Sequence, residues 1–129
     1  MERLKLKYQD ANRTLKTLEE ILSEPFSIIV RDATIQRFEF TFEAVWKFLK
    51  EYLKVNEGII VNSPKSCFRE MFSLGFLSEE DTVKFLDMTD KRNATSHTYK
   101  EMVAEMIFNR INEYFLLMKE LLSKISKKI

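Results

Sequence analysis

The 129-residue sequence has little of what β-rich or disordered chains contain. It has only two glycines and two prolines, whereas 45% of its residues are hydrophobic and 12% are aromatic. Turn-rich β-proteins need more glycine and proline, and disordered chains have fewer apolar residues. The composition therefore predicts an all-α fold. The length predicts a single domain over residues 1–129.

Cysteine and histidine are almost absent. The one cysteine, Cys67, excludes an intrachain disulfide, and the one histidine, His97, leaves no cluster of ligands for zinc. With only Gly58 and Gly75 available, a Gly-rich phosphate loop is missing as well. We therefore expect neither a metal nor a cofactor. The apolar neighbours of Cys67 indicate a small core residue instead of a nucleophile.

No charge sign dominates, and no long hydrophobic run occurs. The chain has 21 Lys and Arg against 20 Asp and Glu, which gives a formal net charge of +1 at pH 7. Any contact with RNA would have to be local, because no global field attracts nucleic acid. No apolar run approaches the roughly 20 residues that span a bilayer, and no signal-peptide pattern opens the sequence. We expect a cytoplasmic protein with no membrane contact.

Apolar residues recur at helical spacing in three long segments. The first segment ends before Pro25, the second runs from Ile28 to about Val55, and the last runs from about Tyr99 to Ile125. Two shorter helices between them are predicted to begin at Ser63-Pro64 and after Ser78. The stripe of the first segment is Leu4, Tyr8, Ala11, Leu15, Leu18 and Leu22. This pattern predicts an antiparallel four- to five-helix up-and-down bundle.

The second segment has an unusually wide aromatic face. Because one partner helix would not cover it, we expect part of this face to form a subunit interface. The complementary face is charged and includes Arg31. Its carboxylates Glu39 and Glu43, one turn apart, are interpreted as solvated or ion-paired. Glu43 has only a modest functional claim, because it faces away from the densest apolar stripe. The wide face comprises Ile35, Phe38, Phe42, Val45, Trp46, Leu49 and Leu53, with Phe40 and Phe48 beside it.

A polar stretch from Asp87 to Tyr99 separates the last two helical segments. Within it, Arg92 offers a fixed cation, Asn93 an amide, His97 a group that titrates near neutral pH, and Tyr99 a phenol. Together these four groups suit a phosphate ester. We take them as the candidate site.

Helix geometry constrains how Arg92 and His97 can cooperate. On one continuous α-helix the two side chains would lie about 140° apart around the axis. Thr95 and Ser96 are good N-cap residues, so we predict that one helix ends near Asn93 and another starts near Ser96 and His97. Such a break would let the side chains of Arg92 and His97 point into the same cleft.

The chemistry that this pair permits is metal-independent cleavage of an RNA phosphodiester. His97 would take the proton from the 2′-hydroxyl or give one to the leaving oxygen, while Arg92 stabilises the negative charge on phosphorus. A triad of Ser96, His97 and Asp90 is discounted, because adjacent residues rarely take that orientation. Spacing alone is also typical of a surface histidine and of an Arg-Asn helix end.

The spacing of Arg92, His97 and Tyr99 resembles the Arg-x4-His-x-Tyr signature of HEPN-domain proteins, specifically the HepT-like family encoded beside minimal nucleotidyltransferases. The resemblance covers nearly the whole chain and is closest to the branch called nucleotidyltransferase substrate-binding proteins. The segments that carry it are Arg31–Phe40, Trp46-Lys47, Ser63-Pro64-Lys65 and Arg92–Tyr99.

The resemblance implies a homodimeric helical bundle whose two motifs face a shared cleft. It further implies a ribonuclease toxin in which Arg92 and His97 match the catalytic pair. Tyr99 matches the acceptor to which a partner nucleotidyltransferase attaches AMP, which silences the toxin. Asn93 is a supporting residue, either as a cap or as a polar contact in the cleft.

Two other functions remain open at this point. The older family name implies a non-catalytic subunit that binds nucleotide or substrate for a separate nucleotidyltransferase. A third alternative is a helical scaffold without an active cleft.

Overall fold

A computed structural model describes residues 2–129, and all regular secondary structure in this part of the chain is helical, with no strand. A π-helical turn, Leu53–Glu57, extends the second helix, and a 3₁₀ turn, Ala94–His97, joins the last two. The all-α prediction is confirmed. The five α-helices are α1 (Glu2–Leu22), α2 (Ile28–Tyr52), α3 (Pro64–Ser73), α4 (Glu79–Asn93) and α5 (Glu101–Ser126).

The first two helices are antiparallel neighbours. Arg3, at the start of α1, pairs with Glu51 near the end of α2 at 3.4 Å. Further along α1, the carbonyl of Thr17 accepts a hydrogen bond of 2.8 Å from Arg37 in the first half of α2. Because the partner number falls as the α1 number rises, the two helices run in opposite directions.

The last two long helices form a second antiparallel pair. Lys84 of α4 lies 3.5 Å from Glu113 of α5, whereas Asp87 lies 3.9 Å from Arg110. Helices α2 and α5 join the two pairs and run parallel to each other. Glu101 of α5 contacts Arg31 of α2, and Tyr114 contacts Phe38, so the residue numbers rise together along both helices. The four long helices therefore alternate up and down, as predicted, with α3 inserted before α4.

Serine caps begin three of the helices. The side chains of Ser27, Ser63 and Ser78 each accept a hydrogen bond from the backbone N–H three residues later. These bonds satisfy donors that the helix itself cannot pair. The predicted starts at Ser63-Pro64 and after Ser78 are confirmed.

The aromatic face of α2 is covered within one chain. Every residue predicted for that face is buried, Phe48 is buried too, and only Phe40 remains 55% exposed. Helix α2 contacts α1, α3, α4 and α5, which together surround it. The expectation that this face leaves part of itself for a subunit interface is therefore wrong.

The remaining core predictions are mostly confirmed. Cys67 is fully buried, and the α1 stripe faces the core through Leu4, Ala11, Leu15 and Leu18. At the end of α1, however, Ile21 takes the inner position, and Leu22 is only partly buried. No helix in the described part of the chain combines the length and apolar character needed to cross a membrane.

Candidate functional site

The connection between α4 and α5, together with the last turn of α4 and the first residue of α5, lies along α2 and is tied to it at three points. As the connection proceeds from α4 to α5, its contacts move back along α2 towards that helix's start. Each tie joins a polar or charged side chain of this stretch to a charged side chain of α2. The three ties are Arg92 with Glu43, Thr95 with Glu39, and Glu101 with Arg31.

Arg92 belongs to the last turn of α4 and is held from two sides. Its Nη2 donates to Glu43 Oε2, and its guanidinium lies 5.4 Å from the centre of the Phe42 ring. Glu43 also pairs with Lys47 at 3.3 Å, which fixes the carboxylate in turn. The Arg92 side chain keeps 27% of its surface exposed. A ligand can therefore reach a cation whose position is already set.

Asn93 ends α4, as predicted, but a new helix does not begin at Ser96. The chain continues in right-handed helical geometry, with φ −66° and ψ −26° at Asn93, and α5 begins at Glu101. Thr95 does not act as an N-cap. Its hydroxyl lies 2.7 Å from Glu39 Oε2 and 2.8 Å from the Arg92 carbonyl, and both oxygens accept from it. This pairing within the bundle favours the 3₁₀ turn over a new helix start.

Arg92 and His97 leave this segment on different sides. Two α-helical steps of 100° and three 3₁₀ steps of 120° place the two residues about 160° apart around the axis. Arg92 points towards α2, whereas His97 is exposed. Among residues 2–129, no hydrogen bond joins the two side chains. The helix break therefore does not by itself bring the two side chains together, and their shared cleft stays a prediction.

His97 and Tyr99 lie next to each other between two of the ties. Their ring centres are 6.1 Å apart with the planes at 67°, and Tyr99 is 77% exposed. On one side the segment is held by Thr95, and on the other by Glu101. Both side chains therefore project from a short segment whose ends are fixed. Asn93 is exposed, and its Oδ1 lies 3.5 Å from Arg92 Nη1.

Arg31 anchors the start of α5. Although it carries a charge, it is only 3% exposed, and it donates to Asp32 at 3.0 Å and to Glu101 through both terminal nitrogens. The hydrogen bond with Glu101 raises the pKa of Arg31 and lowers the pKa of Glu101. Sequence reasoning placed Arg31 on the charged outer face, which is wrong, because no local pattern indicates a partner 70 residues away.

The sequence offered only one indication that Glu39 and Glu43 belong to the site, which is their separation by one helical turn. Glu39 and Glu43 lie one turn apart and away from the apolar stripe, and both contact the motif segment. The ion-paired alternative is confirmed for Glu43. The useful signal was their shared face on α2, which sequence reasoning ranked below the motif.

A second polar cluster braces the same end of α4 against α5. Tyr114 is fully buried and donates to Asp87 Oδ2, while Lys91 lies 3.0 Å from Asp87 Oδ1. The hydrogen bond from Tyr114, aided by Lys91, lowers the pKa of Asp87. Burial, followed by the bond to Asp87, raises the pKa of Tyr114. The last turns of α4 are thus fixed on both sides of the helix.

The described residues form no cluster of metal ligands. Within residues 2–129, no three His, Cys, Asp or Glu side chains lie close enough to hold a metal ion. Acid–base and electrostatic chemistry is what the arrangement of Arg92, His97 and Tyr99 offers.

Comparison with known proteins identifies the family. A family model described as "nucleotidyltransferase substrate binding protein like" matches residues 6–127. The chain belongs to this family. The resemblance to the nucleotidyltransferase substrate-binding branch of the HepT-like HEPN proteins is therefore confirmed.

Solved structures share the fold. A crystal structure of a Thermus thermophilus protein is 43% identical, with a TM-score of 0.84, and covers 88% of this chain and 97% of that one. A Haemophilus influenzae structure, described as revealing the fold of a substrate binding domain of a nucleotidyltransferase, has a TM-score of 0.62 at 23% identity and covers 97% of this chain and 98% of that one. At that identity the likeness concerns the fold alone.

One relative carries an activity in its name. The protein called "Probable ribonuclease HepT", from Haemophilus influenzae strain Rd, is 29% identical over 98 residues, which are 73% of this chain. The match spans 66% of the relative's own length, just under two thirds.

Proposed function

We propose that this protein is a HEPN-type, metal-independent ribonuclease toxin that a partner nucleotidyltransferase silences by attaching AMP to Tyr99. The proposal rests chiefly on one observation: His97 and Tyr99 project side by side from a segment anchored at both ends, with Arg92 held at its start. A relative named as a probable ribonuclease supports the same activity. The family description supports the nucleotidyltransferase partner.

The cleavage reaction needs two proton transfers. The 2′-hydroxyl of the RNA attacks the adjacent phosphorus, its proton goes to a base, and the departing 5′-oxygen takes a proton from an acid. The products are a 2′,3′-cyclic phosphate and a 5′-hydroxyl. His97 suits either role, and Arg92 stabilises the charge that develops on the phosphoryl oxygens.

A homodimer would complete the site, because each chain contains a single histidine. Just before α5 and in its first two turns, Tyr99, Met102 and Met106 recur at spacings of three and four and are 77%, 82% and 45% exposed. An apolar strip of this kind indicates a docking surface. Pairing two chains along this strip would bring two copies of His97 to a shared cleft.

Silencing would act directly on this cleft. The Tyr99 hydroxyl oxygen attacks the α-phosphorus of ATP, pyrophosphate leaves, and the hydroxyl proton passes to solvent. The exposure of Tyr99 leaves its oxygen accessible to a second enzyme. The attached AMP adds a negative charge and a bulky base next to His97, which would repel and block RNA.

An RNA cleavage assay tests the proposal. Incubated with transfer RNA or total RNA, the wild-type protein should cleave equally with and without EDTA. His97→Ala and Arg92→Ala should each lower the rate by about 10²-fold or more. Ser96→Ala is the matched control, because Ser96 is exposed and its hydroxyl reaches only the Asn93 carbonyl, at 3.5 Å. Tyr99→Phe should still cleave but resist silencing.

The second candidate is a non-catalytic subunit that binds nucleotide or substrate for a separate nucleotidyltransferase. The family description favours it, since it names substrate binding and no nuclease. Wild-type protein that leaves RNA intact yet binds nucleotide or the transferase would support this candidate over the nuclease. A scaffold without an active cleft predicts that Arg92→Ala and His97→Ala change neither cleavage, nucleotide binding nor complex formation.

A further inference from the structure

A concave surface between α1, the second half of α2 and the connector after it concentrates the positive charge of the protein. It encloses about 410 Å³. Its formal charge is +4, although the whole chain carries only +1, so the rest of the molecule is net negative. We call it the basic groove; its charged lining residues are Arg3, Lys7, Lys47, Lys50, Lys54 and Glu51.

Three of these cations have no carboxylate partner among the described residues: Lys7, Lys50 and Lys54. Glu51 is paired with Arg3 at 3.4 Å, and Lys50 lies 5.5 Å from the centre of the Trp46 ring. Unpaired cations that converge on a concavity repel one another, which an anionic ligand would relieve. The groove is therefore suited to a polyanion.

The basic groove leads towards the motif. A neighbouring depression of about 320 Å³ shares Lys7 and Lys47 with it and extends to Glu43, the partner of Arg92. From Glu43 to Lys54 the helical rise of 1.5 Å per residue gives a path of about 16 Å. At a spacing of 3.4 Å or more between phosphates, this path accommodates at most about five.

We propose that the basic groove binds the sugar-phosphate backbone of single-stranded RNA and guides the strand to Arg92. Its role in delivering a substrate rests on the proposed nuclease function. Ile60, which lines the groove and is 66% exposed, offers an apolar contact to an unstacked base, and such bases are presented by single strands. Protein interfaces are depleted in lysine at their cores, so an acidic protein partner fits this surface less well.

Binding can be measured apart from cleavage. The probe is a fluorescein-labelled oligouridylate of about 20 nucleotides, followed by fluorescence anisotropy between about 50 and 300 mM salt. All variants carry His97→Ala, so the probe stays intact. The test pair is Lys50→Gln with Lys54→Gln. The matched control is Lys16→Gln with Lys119→Gln, which removes the same charge from the face between α1 and α5.

The expected effect follows from counterion release. Each lost phosphate contact lowers the slope of log K against log salt by about 0.7 for a single strand, so the test pair should lower it by about 1.4. At about 0.1 M salt this corresponds to roughly 25-fold weaker binding, whereas the control should change by less than about twofold. A second test pair, Lys7→Gln with Lys54→Gln, should behave like the first.

Three outcomes would refute the proposal that the basic groove binds RNA. The first is that the His97→Ala parent protein does not bind RNA at about 50 mM salt, and the second is that the test and control pairs bind RNA with equal affinity. The third is that the test pair loses a complex with the nucleotidyltransferase while its RNA affinity is unchanged. The nuclease proposal can be refuted independently. If wild-type protein binds RNA through the groove without cutting it, only the nuclease proposal is refuted. If both lysine pairs, made with His97 intact, cleave RNA with equal kcat/KM, only the proposal that the groove delivers RNA is refuted.

Discussion

Replacing Tyr114 by phenylalanine removes one buried hydroxyl and changes little else. The Tyr114 ring stacks on Phe38 with the ring centres 5.8 Å apart, and phenylalanine preserves that contact. The lost interaction is the hydrogen bond to Asp87, which braces the end of α4 that carries Arg92. The variant therefore reports how much this brace stabilises the bundle.

The size of the effect can be worked out from the structure. A hydrogen bond to a charged group contributes about 1.5–3 kcal/mol. The Asp87 side chain is 37% exposed and keeps Lys91 at 3.0 Å, so solvent screening reduces the expected loss to about 1–1.5 kcal/mol. With an unfolding entropy of about 2.1 cal/mol/K per residue, Tm should fall by about 4–6 °C.

The pH dependence of the Tm difference provides a second test of the prediction. The pKa of Asp87 is lowered in the folded protein, so its ionised form is favoured there. This stabilisation is complete above the ordinary aspartate pKa of about 3.9 and is lost as the pH falls through the lower folded value. The Tm difference between wild type and Tyr114→Phe should be full at pH 7 and should shrink below about pH 4.

Thermal unfolding followed by far-ultraviolet circular dichroism measures both quantities. Tyr8→Phe is the control, since the Tyr8 ring contacts Phe48 at 5.5 Å and, within residues 2–129, its hydroxyl makes no hydrogen bond. Its Tm should change by less than about 2 °C. A Tyr114→Phe protein as stable as wild type at pH 7, or a Tm difference that does not vary down to about pH 3, would refute the reasoning.

Two further predictions concern the site and the core. Thr95→Val removes the hydroxyl that donates to Glu39 at 2.7 Å and should slow RNA cleavage about tenfold. Thr98→Val is the control: it removes a hydroxyl that donates to the Thr95 carbonyl at 3.2 Å and should slow cleavage less than about threefold. Equal cleavage rates for the two variants would show that the Glu39 tie does not position the segment. Burial raises the pKa of Cys67 to about 12, so Ellman's reagent should not modify it in the folded protein at about pH 8 but should do so in guanidinium. Rapid labelling of the native protein would contradict the buried position.

Local chemistry made most of the fold predictable. Apolar spacing located the long helices, and Ser63 and Ser78 marked two helix starts, because both signals act over a few residues. The break after Asn93 was predicted for the same reason. The interface assigned to α2 was wrong because sequence spacing shows how wide an apolar face is, but not how many helices of the same chain cover it.

What the sequence could not show depends on distant pairs. Thr95 looks like a helix cap when only its neighbours are considered, but Glu39, 56 positions earlier, binds its hydroxyl. Arg31 looks like a surface charge until α5 is packed beside α2. The roles of Arg92, Asn93, His97 and Tyr99 stay predictions, and so does the second chain that would complete their site.

The parallel arrangement of α2 and α5 has a consequence for the proposed modification. The contact of Arg31 with Glu101 places the N-terminal turns of both helices together, and Tyr99 lies two residues before the start of α5. The positive ends of two helix dipoles therefore act on the same surface. A phosphodiester formed on the Tyr99 oxygen would bring its negative charge to this surface, so the bundle itself would stabilise the silenced form.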